Sequence, residues 1–315
     1  MKKSAIFLSL LLAVQLSTAQ STAKFKKQFK KSINEIRKSD EKKIISAYVF
    51  KDYITVIPDD ILKILPEYEA DTLVNVRRLI YEIYYQIGRK NSDKNIRQEA
   101  VLKLVNACND KNYDLRKISA NQLKYFKKDD FSQKAKNILT EQLSKTEDYY
   151  KNTVRLTGFL DMQEQIPLLY ELLNDTTIRD PKTKWQIHLT LARLGETDET
   201  AYCTNLARSK GVNDRIIHFL LSDLVYTRQK QAFNYLIEIL NSQEKNCRPA
   251  NPHIEDAIVC GYRIMELLAP VIKDFPFETY PGTSQLKAKD YDKALQEVRQ
   301  WFKNNPDYEI KKDTF

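Results

Sequence analysis

Apolar positions recur along the chain at intervals of three and four, the spacing that lines one face of an α-helix. Arg77 is followed by Leu79, Ile80, Ile83 and Ile87, and Arg97 to Cys108 sets Ala100, Val101, Leu104, Val105 and Cys108 on one stripe. Ala135 to Leu143 repeats the pattern with Ile138, Leu139 and Leu143. Downstream, Ile166 to Leu173, Trp185 to Leu194, Ala201 to Ala207, Ile216 to Val225, Ala232 to Leu240 and Ile254 to Leu268 read as helices, with Gly195 in a helix-stop position. A last stripe of Ala294, Leu295, Val298, Trp301 and Phe302 stops at Asn304-Asn305-Pro306. The link before it, Phe275 to Ser284, holds Pro276, Pro281 and Gly282 and reads as a loop. Only Ile44 to Ile57 departs from the pattern: Tyr48, Val49, Tyr53, Ile54, Val56 and Ile57 have strand-like preferences, and the segment reads as helix plus loop. With 6 glycines and 10 prolines in 315 residues, a turn-rich sheet protein is disfavoured, and 42% hydrophobic residues suffice for a sizeable core.

The pattern also repeats on a longer scale. An aliphatic residue followed by arginine occurs at Val76-Arg77, Leu115-Arg116 and Val154-Arg155, 39 residues apart both times, and each pair opens an apolar helical stretch. With the stretches between them, two helices per period follow, in the range of helical-pair solenoids. The period shortens to about 30 in the middle of the chain and lengthens again towards the end, a drift that solenoids tolerate. No single pair has enough apolar surface to stand alone, so pairs are stabilised by stacking and the ends need capping.

These residues resemble HEAT repeats. The matching pieces are Ile166-Pro167-Leu168-Leu169 with Leu172-Leu173-Asn174-Asp175, the stretch Asp110 to Arg116, and the helix ends Ile87-Gly88 and Leu194-Gly195. The resemblance covers residues 58 to 270 and implies an all-α fold: an α-solenoid of about five to six helical pairs, with capping helices at both ends. The expected layout is a leader at 1–19, a basic amphipathic segment at 20–57, the repeats at 58–270, and a loop with a capping helix at 271–315.

The first residues have the form of a secretory leader. Lys2 and Lys3 precede a mostly apolar stretch from Ala5 to Leu16, and Ser17-Thr18-Ala19 supplies small residues for cleavage after Ala19. The stretch is too short to span a bilayer comfortably, no later stretch approaches the required length, and no cysteine follows the site to carry a lipid anchor. The expectation is an exported protein, periplasmic or secreted. Removing Lys2 and Lys3 lowers the net charge from +9 to +7, of which +6 falls between Lys24 and Lys43. A basic track along the whole chain, as nucleic-acid binding requires, is therefore not expected. Within the basic segment Phe25, Phe29, Ile33 and Ile36 form one stripe. That stripe either caps the first repeat or, with Lys26, Lys27, Lys30 and Lys31, places Phe25 and Phe29 against an anionic membrane or an acidic partner.

The residues that carry chemistry are few. Three histidines, His188, His218 and His253, set the limit on metal and acid-base sites, and there is no His-Glu-x-x-His helix and no Cys-x-x-Cys pair. HEAT-like metal hydroxylases carry repeated His-Glu pairs, and this sequence has no His-Glu dipeptide. Its glycines are too scattered for a phosphate loop, and Asp59-Asp60 and Asp129-Asp130 read as helix N-caps. Of the four cysteines, Cys108 and Cys203 sit on apolar faces, while Cys247 and Cys260 flank a proline-containing loop where a disulfide is an open alternative. Eighteen tyrosines are the unusual feature; Tyr81, Tyr84 and Tyr85 cluster on one helix and Tyr149-Tyr150 open another. With His188 and His218 they are the candidates for a groove-lining surface. The expected function is a non-catalytic scaffold, with no cofactor, that binds an unidentified protein or peptide on a concave face. The alternatives are a lyase or hydrolase assembled across repeats, and a glycan- or membrane-surface-binding protein.

Overall fold

The computed structural model of the chain describes residues 2–39, 42–144, 151–249, 253 and 255–315, with side chains from position 18 onward except that of Lys151. It is all-helical. The helices run in the order α1 (Lys2–Lys38), α2 (Lys51–Ile54), α3 (Pro58–Ile64), α4 (Val74–Lys90), α5 (Lys94–Ala107), α6 (Tyr113–Leu123), α7 (Gln133–Leu143) and α8 (Lys151–Phe159). They continue with α9 (Ile166–Asn174), α10 (Pro181–Leu194), α11 (Thr197–Ser209), α12 (Asp214–Ile216), α13 (Ser222–Thr227), α14 (Lys230–Asn241), α15 (Gly261–Leu268) and α16 (Tyr291–Asn304). Among the described residues there is no strand beyond isolated bridges, and no helix is long and apolar enough to cross a membrane. The leader expected at 1–19 lies mostly outside the described side chains, although the backbone from Lys2 is helical. The chain divides into two compact units, Met1–Asn152 and Thr153–Phe315, with the boundary inside the 58–270 stretch.

Helix starts follow local chemistry. The side chains of Asp93, Asn112, Ser132, Asp180 and Asp290 each accept a hydrogen bond from a backbone N–H of the first turn that follows, satisfying donors a helix cannot pair internally. Gly195, at φ 107°, ends α10 in the left-handed region, which suits a residue without Cβ. The pair Asp59-Asp60 stands one step later than read: Ile57 is the N-cap of α3, Pro58 opens it, and the two acids lie in its first turn.

In the first unit the apolar stripe of α1 is buried in the core. Phe25 and Phe29 stack with ring centroids 5.6 Å apart, both meet Phe50 edge-on, and Tyr53 and Tyr68 complete the cluster. Ile33 and Ile36 are buried beside them, while Lys26, Lys27, Lys30 and Lys31 stay exposed. Of the two alternatives for this stripe, burial of Phe25 and Phe29 favours packing within the chain over contact with a membrane or acidic partner: burial of each ring is worth about 1.5–3 kcal/mol, which exposure would forfeit. The Ile44–Ile57 segment is short helix and turn, with Phe50 and Ile54 inward and Tyr48, Val49 and Val56 outward.

The second unit has its core between α10, α11, α13, α14, α15 and α16, around Leu189, Cys203, Leu221, Phe233, Ile264 and Val298. Two helices expected there are interrupted. The stretch Ile216 to Val225 contains a π-turn, Ile217–Leu221, that keeps Ile217 and Leu221 buried and leaves His218 and Phe219 exposed. The helix expected from Ile254 begins only at Gly261, because Ile258 instead pairs its backbone in both directions with Cys247, at 2.8 and 3.2 Å. A disulfide joins Cys247 to Cys260 and clamps the same loop.

Candidate binding surfaces

The most regular arrangement in the first unit starts from arginine. Arg77, Arg97 and Arg116 each occupy the fourth position of their helix, α4, α5 and α6. Each turns back to donate through Nη1 to the two carbonyls six and five residues earlier. Arg77 reaches Asp71 and Thr72 at 2.6 and 3.2 Å, Arg97 reaches Asn91 and Ser92 at 3.4 and 2.5 Å, and Arg116 reaches Asp110 and Lys111 at 2.9 and 3.3 Å. A cation near a helix N-terminus is disfavoured by the helix dipole, and for Arg77 and Arg97 a carboxylate offsets it. Arg77 grips Asp110 with Nε and Nη2 at 2.6 and 2.9 Å, and Arg97 donates from Nε to Asp130 at 2.8 Å. Asp129 and Asp130 are not the N-caps they read as: Lys127 is the N-cap of a short turn that contains both, and Asp130, buried, accepts from the Lys127 amide and fixes that loop to α5.

Asp110 is the most heavily bonded of these acids. Beyond Arg77 it accepts from the Tyr81 hydroxyl and the Asn112 amide, both at 2.7 Å. Burial would raise its pKa, but the hydrogen bonds from Arg77, Asn112 and Tyr81 outweigh burial and hold it below the usual carboxylate range. The same pair keeps the Arg77 guanidinium charged. A cleft of about 410 Å³ opens beside them, lined among others by Glu69, Arg77, Tyr81, Lys103 and Asp110.

Two tyrosines expected on a binding surface belong to this interior. Tyr81 and Tyr84 are buried, and their hydroxyls are spent on Asp110 at 2.7 Å and Glu69 at 2.6 Å. Burial and then those acidic partners push both hydroxyl pKa values far up, so each remains a donor to its carboxylate. Tyr85 differs. It is half-buried and meets Phe126 and Tyr125 edge-on, with centroids 6.0 and 6.3 Å away. Tyr125, which sequence reading passed over, is 51% exposed and lies under two cations, Arg89 at 5.9 Å and Lys124 at 5.1 Å. Tyr149 and Tyr150 lie outside the described residues.

In the second unit His188 is already engaged: Nδ1 meets the Glu199 carboxylate at 2.5 Å and the ring lies 4.2 Å from that of Tyr202. His218 sits against Phe219 instead, and no described contact joins the two histidines. Asp223 ties α8, α10 and α13 together by accepting from Arg155 and from the Trp185 indole, both at 2.9 Å. Among the described residues no group of three or more His, Cys, Asp or Glu could hold a metal ion. No family model, curated protein or solved structure matches the chain. The residues that sequence reading missed are therefore placed by geometry alone. For Arg97 a signal was present, since Ile96-Arg97 falls halfway between Val76-Arg77 and Leu115-Arg116; for Tyr125 there was none.

Proposed function

We propose that this protein is an exported, HEAT-like helical-repeat scaffold that binds an acidic protein or peptide without catalysing a reaction on it. The observation that carries this reading is the recurrence of one arrangement at α4, α5 and α6, arginine to preceding-loop carbonyls and, for two of the three, to an aspartate 33 residues on. Repetition of one packing unit is how solenoids build an extended face. Separately, the Tyr125 ring with Tyr85, Arg89 and Lys124 presents an exposed aromatic group under positive charge, the composition of an interface for acidic segments. Export is supported by the leader-like start and by the Cys247–Cys260 disulfide, which suits an oxidising compartment.

The test is site-specific photocrosslinking from position 125, and from position 280 as a control, in the envelope and medium of the native host. A discrete adduct at 125 that disappears in Arg89→Glu is expected. Identical adducts from both positions, or none from 125, would overturn the reading.

A further inference from the structure

Three arginines of the second unit converge where the last residues of the sequence pass. Arg193 and Arg228 are only 7% and 4% exposed, a depth that arginine reaches when it is well paired. Among the described residues, Arg155 has a carboxylate partner in Asp223, whereas Arg193 and Arg228 direct their hydrogen bonds chiefly to main-chain oxygens. Arg193 donates to Tyr226 at 2.8 Å, Lys312 at 3.3 Å and Thr314 at 2.8 Å. Arg228 donates to the carbonyl of Lys311 at 2.9 Å, the hydroxyl of Thr314 at 3.0 Å and the main-chain oxygen of Phe315 at 3.3 Å. The Phe315 ring sits between Phe159 and Tyr226, centroids 5.7 and 5.8 Å away, under the Arg155 guanidinium at 5.5 Å.

Three properties separate this contact from ordinary core packing. Apart from the Phe315 ring and the Thr314 hydroxyl, recognition is through main-chain oxygens, and the side chains of Lys312 and Asp313 are exposed, so other sequences could make most of the same bonds. The floor is cationic: burial, and then repulsion from Arg193, lowers the Arg228 pKa, while Asp161 and Asp313 offset part of the charge. The guanidinium groups of this floor are rehydrated when uncovered, though the Phe159 and Tyr226 rings are not, so releasing the segment costs less than exposing a wholly apolar face. The segment is also held at its start by one bridge, Ile272 with Ile310, through the Lys311 amide to Val271 at 2.8 Å and the Lys273 amide to Glu309 at 3.0 Å. Opening that bridge frees residues 311–315 as one segment, still tethered through the chain before it.

We infer that Arg155, Arg193 and Arg228, with Phe159 and Tyr226, form a binding site for an extended peptide carrying an aromatic residue, which the chain's own residues 311–315 occupy in cis. The segment is then a resident competitor that a peptide of the same chemistry displaces. This inference concerns the second unit and does not rest on the Tyr125 surface of the first.

The experiment uses the full chain and, as probe, a fluorescein-labelled heptapeptide of residues 309–315, followed by fluorescence anisotropy. A tethered competitor acts at an effective concentration of order millimolar, so Phe315→Ala, which removes the ring anchor, should bind the probe about tenfold more tightly than the unaltered chain. Adding Arg193→Gln to Phe315→Ala should abolish that gain. Equal affinity of the unaltered chain and Phe315→Ala, or absence of binding to either, would overturn the proposal. If Phe315→Ala does not fold, hydrogen exchange on the unaltered chain decides. The Lys311 amide should exchange faster with saturating probe, and unchanged exchange would refute displacement.

Discussion

Arg97 and Asp130 meet at 2.8 Å across 33 positions of sequence, the interval that also separates Arg77 from Asp110. The shared register means that one loop acid is read by the arginine of a helix that starts well before it, and each such pair fixes two loops to one helix end. Asp110 links further, since its own carbonyl accepts from Arg116. Arg37 and Asp71 also pair, at 2.7 Å, but from the last turn of α1 and not from a helix start.

Removing one partner of the Arg77–Asp110 pair strands a buried charge. Asp110→Asn should lower the stability of the first unit by about 3–5 kcal/mol, the range for breaking a buried ion pair from one side. Urea unfolding would check it; a loss below about 1 kcal/mol, as for an exposed pair, would mean the pair is not buried as described.

The same carboxylate makes stability depend on acid. Its pKa is depressed in the folded state, so its contribution is fully present above the unfolded value of about 4 and is lost as pH falls through the lower folded value. Between about pH 5 and pH 3 the native chain should therefore lose more stability than Asp110→Asn, in which this titration is absent. Parallel curves for the two proteins would contradict the assignment.

Burial of the α1 stripe separates capping from membrane attachment. Phe25→Ser with Phe29→Ser should cost several kcal/mol, since each Phe-to-small change in a core costs about 3–5 kcal/mol, and should leave binding to anionic vesicles unchanged. Lost vesicle binding with an unchanged melting temperature would reverse that conclusion.

The Cys247–Cys260 disulfide closes a loop of sequence separation 13. Chain-entropy reasoning for a loop this size gives about 3 kcal/mol. Reductant should lower the urea midpoint of the native protein and have no effect on the Cys247→Ser, Cys260→Ser variant. Cys108 and Cys203 are buried, and burial raises both thiol pKa values, Cys108 to about 12, so neither should react with an alkylating reagent before unfolding.

The chain's helical character was legible in its sequence because apolar spacing and caps act over three or four residues. Phe25, Phe29, Ile33 and Ile36 had to share a face once α1 formed, and Gly195 had to end α10, whatever packs around them. What covers that face was not legible. The stripe of α1 is the same whether it meets Phe50 or a lipid, and Tyr81, Tyr84 and Tyr85 are alike until Asp110 and Glu69 claim two of the three hydroxyls. The π-turn at Ile217–Leu221 and the late start of α15 likewise follow from contacts made elsewhere, the second from a bridge to Cys247. Partner choice in these cases is set by groups well beyond a helix turn in sequence, brought near only when the chain packs. The periodicity of one helix carries no record of it.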